Sequence, residues 1–134
     1  MNVAITGTGF MGAVHAEALK RLHLNVIGIQ GSSPEKSRAA AAELQIPRSY
    51  NDYQDLISDP DVDAIHITTP NRHHFPMAIA GLEAGKHILC EKPLAMTSKE
   101  SARLSELASN KELAAGVNYN IRFYPLCLET RSRL

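Results

Sequence analysis

The chain has 134 residues, enough for one domain with a real core but short for an enzyme that must enclose two ligands. Fourteen Lys and Arg balance fourteen Asp and Glu with no basic run interleaved with aromatics, which speaks against nucleic acid, and no apolar run approaches the roughly 18 residues of a membrane span. Met1 and Asn2 lead straight into a predicted strand, and Cys90 and Cys127 have neither metal spacing nor a secretory context, so a cytoplasmic protein with reduced thiols is expected.

The first predicted strand, over residues 3–6, runs directly into Gly7-Thr8-Gly9-Phe10-Met11-Gly12 and a helix over 10–22. In such a strand, turn and helix, Gly7 allows the tight turn, Gly9 has no Cβ to hold backbone away from a pyrophosphate, and Gly12 lets the helix pack close on the strand. Free amides and the positive end of the helix dipole then favour an anion at Phe10 and Met11. Three glycines alone would also suit a turn that merely packs; the strand before, the helix after and a second strand over 25–29 supply the context of a dinucleotide site. On this helix Ala13, Ala16, Leu19 and Leu22 recur at core spacing, while Glu17, Lys20 and Arg21 fall elsewhere on the wheel.

Strand two ends in Gln30-Gly31-Ser32-Ser33-Pro34, where Ser33 caps a helix over 34–44 and Pro34 occupies its first turn. NAD enzymes of this pattern carry an acidic residue about 20 residues beyond the glycines to bind the ribose hydroxyls. This chain has Gly31 there. Ser32 and Ser33 can donate to a 2′-phosphate, with Lys36 or Arg38 nearby, although no arginine directly follows the strand; the expected cofactor is NAD or NADP, with NADP slightly favoured. An edge strand over 48–50 and a brief helix over 52–57 come next, the helix ended by Asp59-Pro60.

A strand over 63–69 ends at Pro70-Asn71, and a helix through Met77, Ala80 and Leu82 runs to Gly85. Asn71 is either a helix cap or a border of the cofactor's ribose. His73 and His74, neighbours on a helix, point about 100° apart, which argues against a two-histidine metal site, and no metal is expected. A strand over 87–90, ended by a buried Cys90, leads to Glu91-Lys92-Pro93, where Pro93 is a candidate cis proline. Thr97-Ser98-Lys99-Glu100 is a capping box for a helix to residue 109; a last strand covers 113–119, and residues 126–134 read as one incomplete helix. His15 and His66 read as structural histidines rather than catalysts.

Strands alternating with helices imply parallel pairing and right-handed crossovers: an α/β, doubly wound parallel sheet of about six strands, with ligands at the strands' carboxyl ends. That rule brings Gly7, Gln30, Thr69, Asn71 and Glu91-Lys92-Pro93 to one edge of the sheet. A lysine there can donate to a substrate hydroxyl or carbonyl; the plainer alternative is a surface lysine paired with Glu91.

Three motifs resemble those of the Gfo/Idh/MocA family of NAD(P)-dependent oxidoreductases: Gly7-Thr8-Gly9-Phe10-Met11-Gly12 followed by His15; Thr69-Pro70-Asn71 followed by His74; and Gly85-Lys86-His87-Ile88-Leu89-Cys90-Glu91-Lys92-Pro93-Leu94-Ala95. Residues 118–125 resemble that family's passage out of its nucleotide-binding domain, with Arg122 and Tyr124 near the junction. The resemblance covers nearly the whole chain. It implies a Rossmann-type dinucleotide-binding domain over residues 1–120 and a junction over 121–134. A second α+β domain, absent here, would supply most of the substrate pocket and a catalytic histidine.

The activity so implied is hydride transfer between a nicotinamide cofactor and a secondary alcohol of a sugar, polyol or related small molecule, by an intact protein that is a homo-oligomer. Lys92 would be catalytic. Gly7, Gly9, Phe10, Met11, Gly12, Ser32, Ser33, Thr69, Pro70, Asn71, His74, Glu91 and Lys92 would surround the cofactor. These 134 residues are then expected to fold and bind cofactor without turning over an alcohol, with Leu126, Leu128 and Leu134 frayed or paired with a neighbouring copy. One rival is a non-catalytic dinucleotide sensor, which needs the glycines but not Lys92. Another, an S-adenosylmethionine-dependent methyltransferase, leaves Thr69-Pro70-Asn71 and Glu91-Lys92-Pro93 without a role.

Overall fold

The computed structural model describes residues 1–134. Six strands alternate with helices: β1 (Asn2–Thr6), α1 (Phe10–Arg21), β2 (Asn25–Gln30), α2 (Pro34–Glu43), β3 (Arg48–Tyr50), α3 (Tyr53–Ser58), β4 (Ala64–Ile67), α4 (His74–Glu83), β5 (His87–Glu91), α5 (Ser98–Asn110), β6 (Ala115–Asn118) and α6 (Pro125–Ser132). Single 3₁₀ turns over Asn71–His73 and Asn120–Phe123 precede α4 and α6. All five strand pairs are parallel and the order is β3-β2-β1-β4-β5-β6, a Rossmann-type doubly wound sheet with β3 at one edge.

The apolar side chains divide between the two faces of this sheet. Val3, Ile5, Val26 and Ile29 pack under Ala16 and Leu19 of α1 and Ala40 and Ala41 of α2. Ala4, Ile27, Ile65 and Ile67 face the opposite layer, where α3 supplies Leu56 and Ile57, α4 Ala78 and Leu82, and α5 Leu104 and Ala108. Strands buried on both faces explain the near-continuous apolar runs of β1, β2 and β4. None of the helices is long and apolar enough to cross a membrane.

Local signals fix most element starts. Ser33 Oγ accepts the Lys36 amide at 3.3 Å, Asp52 Oδ1 accepts the Asp55 amide at 2.9 Å, and Thr97 and Glu100 form the reciprocal capping box. Helix ends are less regular: Gly85 takes the left-handed conformation after α4, but His23, Gln45 and Glu112 do so after α1, α2 and α5. Leu22 is therefore not a core residue, because α1 has ended at Arg21 and the side chain is 69% exposed; His15 takes a place on the buried face instead. The last residues form the two-turn α6, with Leu126, Leu128 and Leu134 exposed.

Candidate functional site

β1 leads to α1 on one face and β4 to α4 on the other, so the carboxyl ends of β1 and β4 part their connections and open a cleft of about 1040 Å³. The glycine turn forms its floor. Gly7 has φ +106°, its amide donates to Gln30 O at 2.8 Å, and a Cβ on it would lie 2.5 Å from Thr68 Oγ. A Cβ on Gly12 would stand 2.1 Å from Gly7 O, so only glycine lets α1 start this close to the turn. Gly9 differs: a Cβ there meets nothing within 4 Å, and it would project into open space at the head of a helix without a capping side chain. The amides of Phe10 and Met11 at that head are unclaimed donors, which is the chemistry a pyrophosphate needs.

Around this floor the cleft is walled by Ser32, Lys36 and Glu43 from the β2–α2 side and by Thr69, Pro70, Arg72 and His73 from the β4–α4 side. Thr6 Oγ donates to Gln30 Oε1 at 2.5 Å beneath it, and Thr69 Oγ contacts Met77 Sδ at 3.5 Å. Of the sequence-derived candidates, Gly7, Gly9, Phe10, Met11, Ser32, Thr69 and Pro70 line the cleft, and Gly12 lies directly beneath it. Ser33 is not on the wall; its hydroxyl caps α2. Arg38 pairs with Glu35 rather than facing the cleft. Asn71 opens the 3₁₀ turn and makes no side-chain cap.

His74 is fully buried, its two ring nitrogens 2.8 Å from Thr69 O and 2.7 Å from Pro93 O, so it ties the β4 and β5 ends together from below. The peptide bond between Lys92 and Pro93 is cis. Glu91 does not pair with the Lys92 ammonium: it is buried, and its carboxylate takes Asn118 Nδ2 at 2.7 Å, His15 Nε2 at 3.2 Å and the Lys92 amide at 3.2 Å. Burial alone would raise its pKa, but those hydrogen bonds outweigh it and hold the carboxyl below the usual range. His66, half-buried and 3.0 Å from His15, is pushed down to about 4, by burial first and by His15 second. Sequence reasoning missed the wall residue Arg72, which carries no periodic or motif signal, and the joining of His15 to Glu91, which stand in separate motifs with no spacing to link them.

Residues 1–119 match the Gfo/Idh/MocA model, an oxidoreductase family with an NAD-binding Rossmann fold. The chain belongs to this family. It is 36% identical over 134 residues to levoglucosan dehydrogenase of Pseudarthrobacter phenanthrenivorans, an alignment covering 93% of this chain and 34% of the relative. It is 37% identical over 84 residues to D-xylose 1-dehydrogenase (NADP(+)) of Hypocrea jecorina, covering 63% of this chain and 22% of that one. An NAD-binding oxidoreductase from Klebsiella pneumoniae superposes with a TM-score of 0.92 at 30% identity, over 98% of this chain and 38% of its own. The chain thus spans about a third of the length of the levoglucosan dehydrogenase it matches. Within the family's fold, it supplies the nucleotide-binding part.

Proposed function

We propose that the cleft binds a nicotinamide dinucleotide with its pyrophosphate over Gly9, Phe10 and Met11, and that the whole protein oxidises or reduces a secondary alcohol of a sugar or polyol. The observation that carries this reading is Gly9, a position open to solvent at the head of the uncapped α1. A side chain there would fill the space a phosphate needs. The nicotinamide, when bound, supplies or accepts the hydride. Lys92, at the end of β5 and engaged in no salt bridge of this chain, would donate a hydrogen bond to the alcohol or carbonyl oxygen and favour negative charge developing on it. The sugar substrates named for the levoglucosan and D-xylose relatives support the substrate class.

NADP is favoured over NAD. No carboxylate stands at Gly31, and Ser32, Lys36 and Arg72 bring a hydroxyl and two cations to the cleft against the single carboxylate of Glu43. Calorimetric titration of the chain with NAD, NADH, NADP and NADPH tests both parts. Binding of NADP(H) at least as tight as NAD(H) is expected. Binding of none of the four would overturn the functional reading, and NAD preferred by about tenfold or more, roughly 1.4 kcal/mol, would overturn the cofactor choice alone.

A further inference from the structure

Beneath the end of β5, on the sheet face that α1 covers, polar side chains from four elements meet around one carboxylate. Glu91 Oε1 accepts Asn118 Nδ2 of β6 at 2.7 Å and faces His15 Nε2 of α1 at 3.2 Å, while Oε2 accepts the Lys92 amide at 3.2 Å. His15 is 5% exposed, and its Nδ1 lies 3.0 Å from Nδ1 of His66 on β4, the two rings edge to face with centroids 5.1 Å apart. No buried side-chain polar atom of the chain is left without a partner.

We propose that His15 is a positioning residue for Lys92, acting through Glu91 to set the backbone at the end of β5 where the lysine stands. The inference rests on the role given to Lys92 above and deepens it. A buried ion pair or polar cluster is often no better for stability than an apolar one of the same shape. What distinguishes this cluster is where its second oxygen goes. Oε2 holds the first amide beyond the strand, so the orientation of the carboxylate and the path of the chain at Lys92 are set together. His15 and Asn118 fix that orientation by occupying the other oxygen. The helix that offers its first amides to a pyrophosphate therefore also steadies the lysine, through its second turn.

The hydrogen bonds fix the ring protons as well. Glu91 is an acceptor only, so His15 turns Nε2–H toward it, and the Nδ1–Nδ1 contact between His15 and His66 holds a single proton. The titratable groups facing His15 are Glu91 from β5 and His66 from β4; Asn118 from β6 is neutral.

The test is NMR of the ¹⁵N-labelled chain at pH 7.5, reading ring nitrogens and amide hydrogen exchange. In the wild type, hydrogen is expected on His15 Nε2. In His15→Phe, exchange at the Lys92 amide should rise at least about tenfold, the loss of one charge-assisted hydrogen bond. Exchange at Ile5 in the central strand should stay unchanged. His15→Gln, whose side-chain amide both donates and accepts, should restore Lys92 to within about threefold of wild type, since it keeps the donor to the carboxylate. Should His15→Phe not fold, Asn118→Leu carries the test: it removes the other donor to the same carboxylate oxygen, and exchange at the Lys92 amide should rise there too. Unchanged exchange at Lys92, a rise shared equally with Ile5, or a wild-type His15 without hydrogen on Nε2 would each overturn the assignment. A wild-type chain that binds no dinucleotide defeats the proposed function and leaves these ratios standing; unchanged ratios in a chain that binds defeat only the role of His15.

Discussion

Alanine at Gly9 and alanine at Gly12 separate the two uses of the glycine turn. Gly12 is the third residue of α1, and helix propensity alone would favour alanine there by about 0.8–1 kcal/mol. Sterics reverse the sign. The new Cβ would stand 2.1 Å from Gly7 O, where ordinary contact begins at 3.4 Å, and neither side can yield cheaply. Gly7, at φ +106°, donates its N–H in a hydrogen bond to Gln30 O, and α1 is packed on β1 through Ala16 and Leu19. Overpacking costs about 1–3 kcal/mol, and a backbone obstacle puts this site at the upper end. Net destabilisation of about 2 kcal/mol is expected, lowering Tm by roughly 6–10 °C for a chain of this size. At Gly9 the backbone is extended and the space is open, so alanine should leave stability within about 0.5 kcal/mol of wild type. Its methyl nevertheless occupies the approach of the pyrophosphate, so NADPH affinity should fall at least about tenfold, and Gly9→Val should abolish binding. Urea unfolding followed by far-UV CD and fluorescence titration with NADPH read the two effects separately. Undiminished binding by Gly9→Val, or a Gly12→Ala chain as stable as wild type, would refute the reasoning.

Ser32→Asp is expected to lower NADPH affinity at least about tenfold while preserving that for NADH, as the two titrations will show. Aspartate at position 31 would not test this cleanly, because a Cβ on Gly31 would meet Thr8 Cγ2 at 2.9 Å and the Ser37 amide nitrogen at 3.1 Å. Acid should weaken the fold in two stages. His66 is held down to about 4 from 6.5, so the unfolded chain takes the proton first and stability falls as pH drops from 6.5 to 4, by on the order of 2–3 kcal/mol. Glu91 has a lowered pKa, so its contribution is present above the ordinary carboxylate range near 4.3 and is lost as pH falls through its folded value. Urea midpoints at pH 7.5, 6 and 4.5 check this; His66→Gln should flatten the upper stage, and equal wild-type midpoints at pH 7.5 and 4.5 would refute it. Ellman's reagent should titrate Cys127 in the folded chain and Cys90 only after unfolding, since burial, followed by the Glu91 charge, pushes the Cys90 thiol up to about 12.

The fold was legible because its signals are local. Glycines at a strand end, Ser33 and Thr97 at helix starts, and apolar runs for strands covered on both faces each act within a few residues. Helix ends were harder to read, since His23, Gln45 and Glu112 hold left-handed conformations that sequence assigns to glycine. At the cleft, the floor was legible for the same reason the fold was. The walls were not: Arg72 faces Lys36 across the cleft through tertiary placement alone, and Ser33, chemically suited to a phosphate, had already been claimed by the Lys36 amide. His15 meets Glu91 across 76 residues and Asn118 across 103, distances at which no periodicity links one residue to another.

His74 has a consequence for how the cleft responds to a ligand. One buried ring lies between Thr69 O and Pro93 O, within 2.8 Å of each and donating to one of them, so the segment lining the β4 side and the bend after Lys92 pack against a common side chain although 24 residues separate them. Neither has to be immobilised when a molecule enters. The entropy of ordering them is incurred once, as the chain folds, and is absent from each later encounter with a ligand, which meets both segments already in place.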